Sequence, residues 1–96
     1  MGQLDMNTPI ILQSKLDLPA AGPLAKSILD IAEGDVVLDA QGVSQIGALC
    51  VQVMLSAATS AKKSGRALSI INTNDKILEQ LSYFGLTPES IAEGKA

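Results

Sequence analysis

The sequence predicts a single small α/β domain with a mostly parallel sheet of three or four strands and about four helices. Short apolar runs alternate along the chain with segments in which apolar residues recur at helical spacing. The connections between successive runs are long enough for right-handed parallel crossovers. A length of 96 residues suits one domain with one core.

The chain begins with a short polar stretch, residues 1–8, which we expect to be flexible or a vestigial strand. The folded domain is predicted to span residues 9–93, and residues 94–96 are expected to form a loose tail. The first strand is predicted over residues 9–14, because an apolar run follows Pro9 and proline is tolerated at the beginning of a strand.

The first helix is predicted to begin between Pro19 and Pro23, since proline is accepted only near a helix start. Asp17 is positioned to cap it by accepting a hydrogen bond from a backbone N–H group. We expect this helix to run to Glu33, with Gly34 supplying a left-handed stop.

The central unit, residues 34–65, organises the rest of the chain. A valine-rich run over residues 35–40 indicates a strand covered on both faces. A polar corner follows at residues 41–47, and a long helix begins from about Ile46. The expected apolar stripe of this helix consists of Ile46, Leu49, Cys50, Val53, Met54, Ala57 and Ala61.

The last third predicts a strand over residues 67–72 and a helix over residues 75–84. Residues 73–75 are candidate caps of that helix, and Gly85 is expected to end it. A final short helix to Glu93 is indicated by Thr87, Pro88 and Glu89 at its start. The expected buried positions of the 75–84 helix are Ile77, Leu78, Leu81 and Phe84.

Composition narrows the possible functions. The chain has no histidine, which removes the commonest general base and metal ligand, and its single cysteine suits a reducing cytoplasm. A net charge of −3 with few clustered cations argues against nucleic acid as a partner, and no apolar run is long enough for membrane insertion. We therefore expect a cytoplasmic protein that binds another protein, with no metal and no cofactor.

Two residues could carry chemistry, and both have simpler interpretations. Asp39 ends a strand beside the corner, but we favour a carboxylate that hydrogen-bonds loop amides over a catalytic role. Cys50 lies on the apolar stripe, where cysteine behaves as a small hydrophobe, although a helix N-terminus can activate a thiol. Gly42 and Gly47 fit no nucleotide-binding motif, and we interpret them as turn residues.

Four stretches together resemble the STAS domain family, the fold of bacterial anti-sigma-factor antagonists. Residues 12–17 (LQSKLD) are similar to the LxGxLD signature, and residues 36–44 (VVLDAQGVS) to the strand that ends in Asp-Leu-Ser-x-Val-Ser/Thr. Residues 65–68 (GRAL) resemble the later Gly-Gly-x-Leu entry to a strand, and residues 81–86 (LSYFGL) the closing helix-Gly-Leu pattern. The resemblance covers residues 10–88 in the family's order.

The chain departs from the family at two places. The family's phosphorylated Asp-Ser/Thr-Ser-Gly site aligns with residues 47–50 (GALC), where Ala48 has no hydroxyl group to receive phosphate. Ser44 is the nearest hydroxyl, but it aligns with a structural Ser/Thr of the family. The family's first strand and hairpin have only residues 1–8 to form from, so that strand is expected to be missing or vestigial.

The resemblance implies a protein that acts by binding. Family members bind kinase-like ATPases through the switch loop and the adjoining helix, and a stand-alone subgroup with a degenerate site accompanies chemotaxis histidine kinases. The first expectation is therefore a non-phosphorylated, non-enzymatic adaptor for such a kinase. The alternatives are an anti-sigma-factor antagonist-like partner of a serine kinase or anti-sigma factor, and an accessory subunit of a lipid-transport ATPase. The implied partner-binding residues are Leu18, Ser44, Gln45, Gly47, Ala48, Val51 and Gln52.

An exposed edge of the small sheet also leaves a weak homodimer open. An enzyme that uses Cys50 or Asp39 is the remaining hypothesis from another class.

Overall fold

The computed structural model describes residues 9–31 and 33–94. The expected vestigial strand at residues 1–8 lies outside the described residues, as does the end of the tail at residues 95–96. The strands are β1 (Ile10–Ile11), β2 (Lys15–Leu16), β3 (Val36–Asp39), β4 (Gln45–Ile46) and β5 (Leu68–Ile71). The helices are α1 (Leu18–Leu29), α2 (Ala48–Lys63), α3 (Asp75–Tyr83) and α4 (Pro88–Ala92).

Two parallel sheets build the domain. The first has the order β1-β3-β5, with Leu38 of β3 opposite Ile10 on one side and Ile70 on the other. The second pairs β2 with β4, in the register Lys15 to Gln45 and Leu16 to Ile46. The α/β class, the parallel arrangement and the four helices predicted from the sequence are confirmed.

The predicted first strand, residues 9–14, is shorter than expected, and a separate short strand follows just beyond it. Ile10–Ile11 joins the main sheet, whereas Lys15–Leu16 pairs with the polar corner, so that the chain changes sheets between residues 11 and 15. The sequence did not predict a strand in the corner, because Gln45–Ile46 is too short to show a periodic pattern.

The first helix ends at Leu29, earlier than the predicted Glu33, although Gly34 has the expected positive φ of 81°. A contact from a distant part of the chain explains the early end. Arg66 Nη1 donates hydrogen bonds to the carbonyl oxygens of Ile31 (3.0 Å) and Gly34 (3.2 Å). These bonds hold the segment after the helix as a loop.

Helix ends in the last third follow the sequence closely. The Asn74 side chain caps α3 by accepting from Ile77 N–H, and Gly85 follows the helix with a φ of 75°. Thr87 and Ser90 form a reciprocal capping box at the start of α4. Asp17 occupies the N-cap position of α1 as predicted, but its side chain makes no capping hydrogen bond within the described residues.

The core is aliphatic, as the composition predicts, and lies between the main sheet and the helices. The buried face of α2 is formed by Cys50, Val51, Met54, Leu55, Ala58 and Ala61. Three residues expected inside are instead exposed, namely Leu49, Leu78 and Phe84. Helical periodicity indicates an apolar face but does not fix where its boundary with solvent falls.

Candidate functional site

The short β2–β4 ladder places the beginnings of α1 and α2 side by side. Gly47 N–H donates to the carbonyl of Leu16 (2.9 Å), immediately before each helix begins. The Cys50 thiol donates to the carbonyl of Asp17 at 3.5 Å, which joins the first turn of α2 to the N-cap of α1. Two segments about thirty residues apart in sequence therefore form one continuous surface.

Most of the residues implied as partner contacts lie on this surface. Leu18, at the start of α1, is 72% exposed. Gln45, Ala48 and Gln52 are exposed. Ser44 and Gly47 are partly exposed.

Val51 requires a correction. Its side chain is only 3% exposed and packs in the hydrophobic core, so it is not available as a direct contact. The position follows from the helix, because Val51 neighbours Cys50 and lies one turn before the buried Leu55 on the covered face of α2. Its role is to hold the first turns of α2 against the core.

The beginning of α2 presents backbone rather than charged side chains. Gly47 is the N-cap, with an extended backbone (φ −106°, ψ 170°), and the first helical hydrogen bond runs from Val51 N–H to its carbonyl at 3.1 Å. The first turn contains no acidic residue. Ala48 is exposed and carries only a methyl group, so the surface there is small and neutral.

One asparagine fixes the loop between β3 and β4. Asn74 Nδ2 faces three loop carbonyl oxygens, those of Ala40 (3.3 Å), Gln41 (3.1 Å) and Val43 (2.9 Å). Its Oδ1 accepts from Ile77 N–H at 3.0 Å. The same side chain therefore caps α3 and holds the loop.

One glutamine fixes the other end of this loop. Gln80 Oε1 accepts from Ile46 N–H at 2.7 Å, and its Nε2 donates to the carbonyl of Ser44 at 2.8 Å. The Ser44 hydroxyl also donates to the carbonyl of Ser14 at 3.1 Å. Because α3 holds the loop at both ends, Ser44 and Gln45 are presented in one defined conformation.

Asp39 has the structural role favoured from the sequence. Its carboxylate accepts from Gln41 N–H (3.0 Å) and from Asn72 Nδ2 (3.2 Å). Asn72 has a positive φ of 55°, a region that asparagine tolerates better than most residues. Both bonds stabilise turns at the carboxyl ends of β3 and β5.

Cys50 is enclosed in the core, with 0% of its surface exposed. Burial raises the pKa of its thiol above the ordinary value of 9.0, and the negative charge of Asp17 raises it further. A neutral, enclosed thiol is a poor nucleophile. The residue therefore acts as a small hydrophobe whose S–H group donates one hydrogen bond.

Within residues 9–31 and 33–94, no group of three or more His, Cys, Asp or Glu side chains is placed to hold a metal ion. In the same part of the chain, no helix combines the length and apolar character needed to cross a bilayer.

Sequence reasoning missed Asn74 and Gln80 as parts of the site. Asn74 was recognised as a candidate cap, but its loop partners lie 31 to 34 residues away in sequence. Gln80 gave no signal, since a glutamine within an amphipathic helix is ordinarily solvated.

The parallel sheet, the helices beside it and the tied loop after β3 together define a small α/β domain of the STAS-like class. A family model described as "Mlab, STAS domain" matches residues 3–90, and the chain belongs to the STAS domain family. A search of curated proteins found no match to the chain.

Membership of this family establishes the general role. STAS domains of this kind have anti-sigma-factor antagonist-like roles in signalling and regulation. They are generally non-enzymatic, and they generally bind protein partners.

Proposed function

We propose that the chain is a non-enzymatic adaptor that binds a histidine kinase of the chemotaxis type, without being phosphorylated at the usual switch position. The contact region, termed here the docking surface, consists of Leu18, Ser44, Gln45, Gly47, Ala48 and Gln52. The observation that carries this proposal is the β2–β4 ladder, which brings the exposed Leu18 beside the exposed start of α2.

Rigidity of the loop favours binding. Asn74 and Gln80 already fix the backbone of residues 40–46, so little conformational entropy remains to be lost when a partner binds. A surface whose geometry is set in advance can bind without rearranging.

The docking surface is neutral, since none of its six residues carries a charge. Attraction between charges then contributes little to binding at the centre of the contact. We expect the dissociation constant to change less than about threefold between low and physiological salt.

Two features support the absence of phosphorylation. Ala48 offers no hydroxyl, and the hydroxyl of Ser44 donates to the carbonyl of Ser14. The backbone carbonyl of Ser44 is also bonded to Gln80, which holds this serine within the loop. An adaptor built in this way would bind its partner constitutively.

Isothermal titration of the purified chain with the chemotaxis kinase of the same organism tests the proposal. Saturable binding is expected, and Ala48→Arg should weaken it about tenfold or more because a bulky cation would occupy the centre of the contact. The matched control is Ser27→Arg, at an exposed position of α1 away from the docking surface. Absence of binding, or equal weakening by both variants, would contradict the proposal.

A transport ATPase is retained as the second candidate partner, because the resemblance to STAS domains also implies an accessory subunit of a lipid-transport ATPase. A parallel titration with the ATPase subunit of a lipid-transport complex separates the two candidates. Binding to that subunit alone, weakened by Ala48→Arg, would keep the docking surface and replace the partner.

A further inference from the structure

A groove that adjoins the docking surface at Gln52 runs between α1 and α2. Its volume is about 420 Å³, within the range of roughly 300–1,000 Å³ that is typical of small-molecule pockets. Along α2 it extends from Leu49 to Ser60, a length of roughly 16 Å at the helical rise per residue.

The walls of the groove are mostly apolar and incompletely covered. Ile28 and Leu29 contribute from α1, and Val53 and Ala57 contribute from α2. Leu29 is 80% exposed and Leu49 is also exposed, so aliphatic side chains face solvent on both sides. Exposed apolar surface of this kind is costly in water unless something covers it.

Among the residues that the structure describes, a single charged side chain, Arg66, lines the groove. Its Nη1 is fixed by the hydrogen bonds to the carbonyls of Ile31 and Gly34, which hold the guanidinium in place. Arginine has five N–H donors in a planar fork, so Nη2 and Nε provide further donors beyond these two bonds. The orientation of this cation is therefore set before any ligand arrives.

Among the described residues, Arg66 supplies the positive charge of the groove, and the charged side chains nearby do not line it. An ion pair between Lys26 and Asp30 lies on the exposed side of α1. Glu33 is in the same loop as the carbonyls that bind Arg66, but it is exposed and is not among the lining residues. Within residues 9–31 and 33–94, no acidic side chain lines the groove.

We propose that this α1–α2 groove binds a small amphiphile with an aliphatic body and one anionic head group, the body lying against Ile28, Val53 and Ala57 and the head group meeting Arg66. Charge complementarity selects this occupant, because the groove combines apolar walls with a single oriented cation near the end of α2. The groove shares Gln52 with the docking surface, but Arg66 and the apolar walls lie beyond that surface, and the proposal does not depend on a kinase partner.

Titration of the isotopically labelled full chain by NMR tests the groove, with decanoate as the probe at concentrations below micelle formation. We expect saturable shifts at Ile28, Val53, Ala57 and Arg66. Decanol, which has the same chain without the charge, should bind about tenfold more weakly, because it lacks the charge-assisted hydrogen bonds to the guanidinium. Decyltrimethylammonium should bind no more tightly than decanol.

Variants separate recognition of the head group from folding. Arg66→Gln should abolish the preference for decanoate over decanol, with circular dichroism confirming that the loop change leaves the fold intact. Ser60→Glu provides a second variant, because it places a carboxylate at an exposed lining position and should weaken decanoate about tenfold. Ser27→Glu adds the same charge on α1 outside the groove and should leave the affinity unchanged.

Three results would overturn the proposal. They are equal affinity for decanoate and decanol, the absence of saturable binding, and shifts centred away from the groove. Protection of Val53 and Ala57 by a protein partner, with no binding of decanoate, would assign the groove to that partner and would equally reject the amphiphile.

Discussion

Asn74 provides the sharpest test of what fixes the loop of the docking surface, because its side-chain oxygen and nitrogen make different hydrogen bonds. Oδ1 caps α3, and Nδ2 donates to the loop carbonyls. Asn74→Asp keeps an acceptor for the cap, since aspartate is as good an N-cap as asparagine, but it removes the donor. Asn74→Ala removes both.

The magnitudes follow from the bonds that each variant loses. The Nδ2 group has two N–H hydrogens, which are shared among three carbonyls, so Asn74→Asp loses the equivalent of two hydrogen bonds. At about 1 kcal/mol for each bond, this variant should lower the free energy of unfolding by ~2 kcal/mol. Loss of the cap costs a further ~1 kcal/mol, which brings Asn74→Ala to ~3 kcal/mol.

Urea denaturation at pH 7, where the introduced aspartate is ionised, measures both free energies. Hydrogen exchange of the amide groups of Val43 and Ile46 reports the loop separately, and both amides should exchange faster in Asn74→Asp than in the parent chain. Equal stability of Asn74→Asp and the parent would refute the role assigned to Nδ2. Equal stability of the two variants would refute the role assigned to the cap.

Three further predictions concern the loop, the thiol and phosphate. Gln80→Glu keeps the oxygen that accepts from Ile46 N–H, but it loses the N–H donor and places a negative charge beside the carbonyl of Ser44. It should lower the free energy of unfolding by about 1–2 kcal/mol in urea denaturation and should also weaken partner binding. An unchanged affinity would contradict this prediction. Because the pKa of Cys50 is raised in the folded state, the thiol ionises at lower pH in the unfolded state, so the free energy of unfolding should fall as pH rises above 9.0. Cys50→Ala should show a shallower decline of this free energy with pH. Identical declines in the two proteins would show that the thiol is not the cause. Incubation with ATP and the partner kinase should add no phosphate to residues 44–50 by mass spectrometry, and a phosphoserine at Ser44 would show that the switch has moved rather than been lost.

Local patterns in the sequence predicted most of the fold. Gly85 after α3 and the Thr87 cap of α4 act over a few residues, and for that reason their roles could be predicted from the sequence. The early end of α1 was not predicted, because the bonds from Arg66 that hold the following loop cross more than thirty residues of sequence. Long-range hydrogen bonds leave no periodic signal in a single chain.

The candidate site was only partly predictable for the same reason. The resemblance placed the docking surface at the start of α2, and most of its residues do lie together at the surface. The prediction that Val51 contacts a partner was wrong, because within one turn of α2 the side chains change from exposed, at Ala48, to buried, at Val51. The roles of Asn74 and Gln80 became visible only in the structure, since each side chain hydrogen-bonds the backbone of a loop that is distant in sequence.

Cross-saturation NMR between the methyl-labelled chain and the unlabelled kinase tests most directly whether a partner binds at the start of α2. Leu18 and Ala48 should lose methyl intensity on saturation of the kinase, while the buried Ile91 of α4 should keep it. Loss centred on Ile11 at the edge of the main sheet, with Leu18 and Ala48 unaffected, would show that binding occurs elsewhere on the domain.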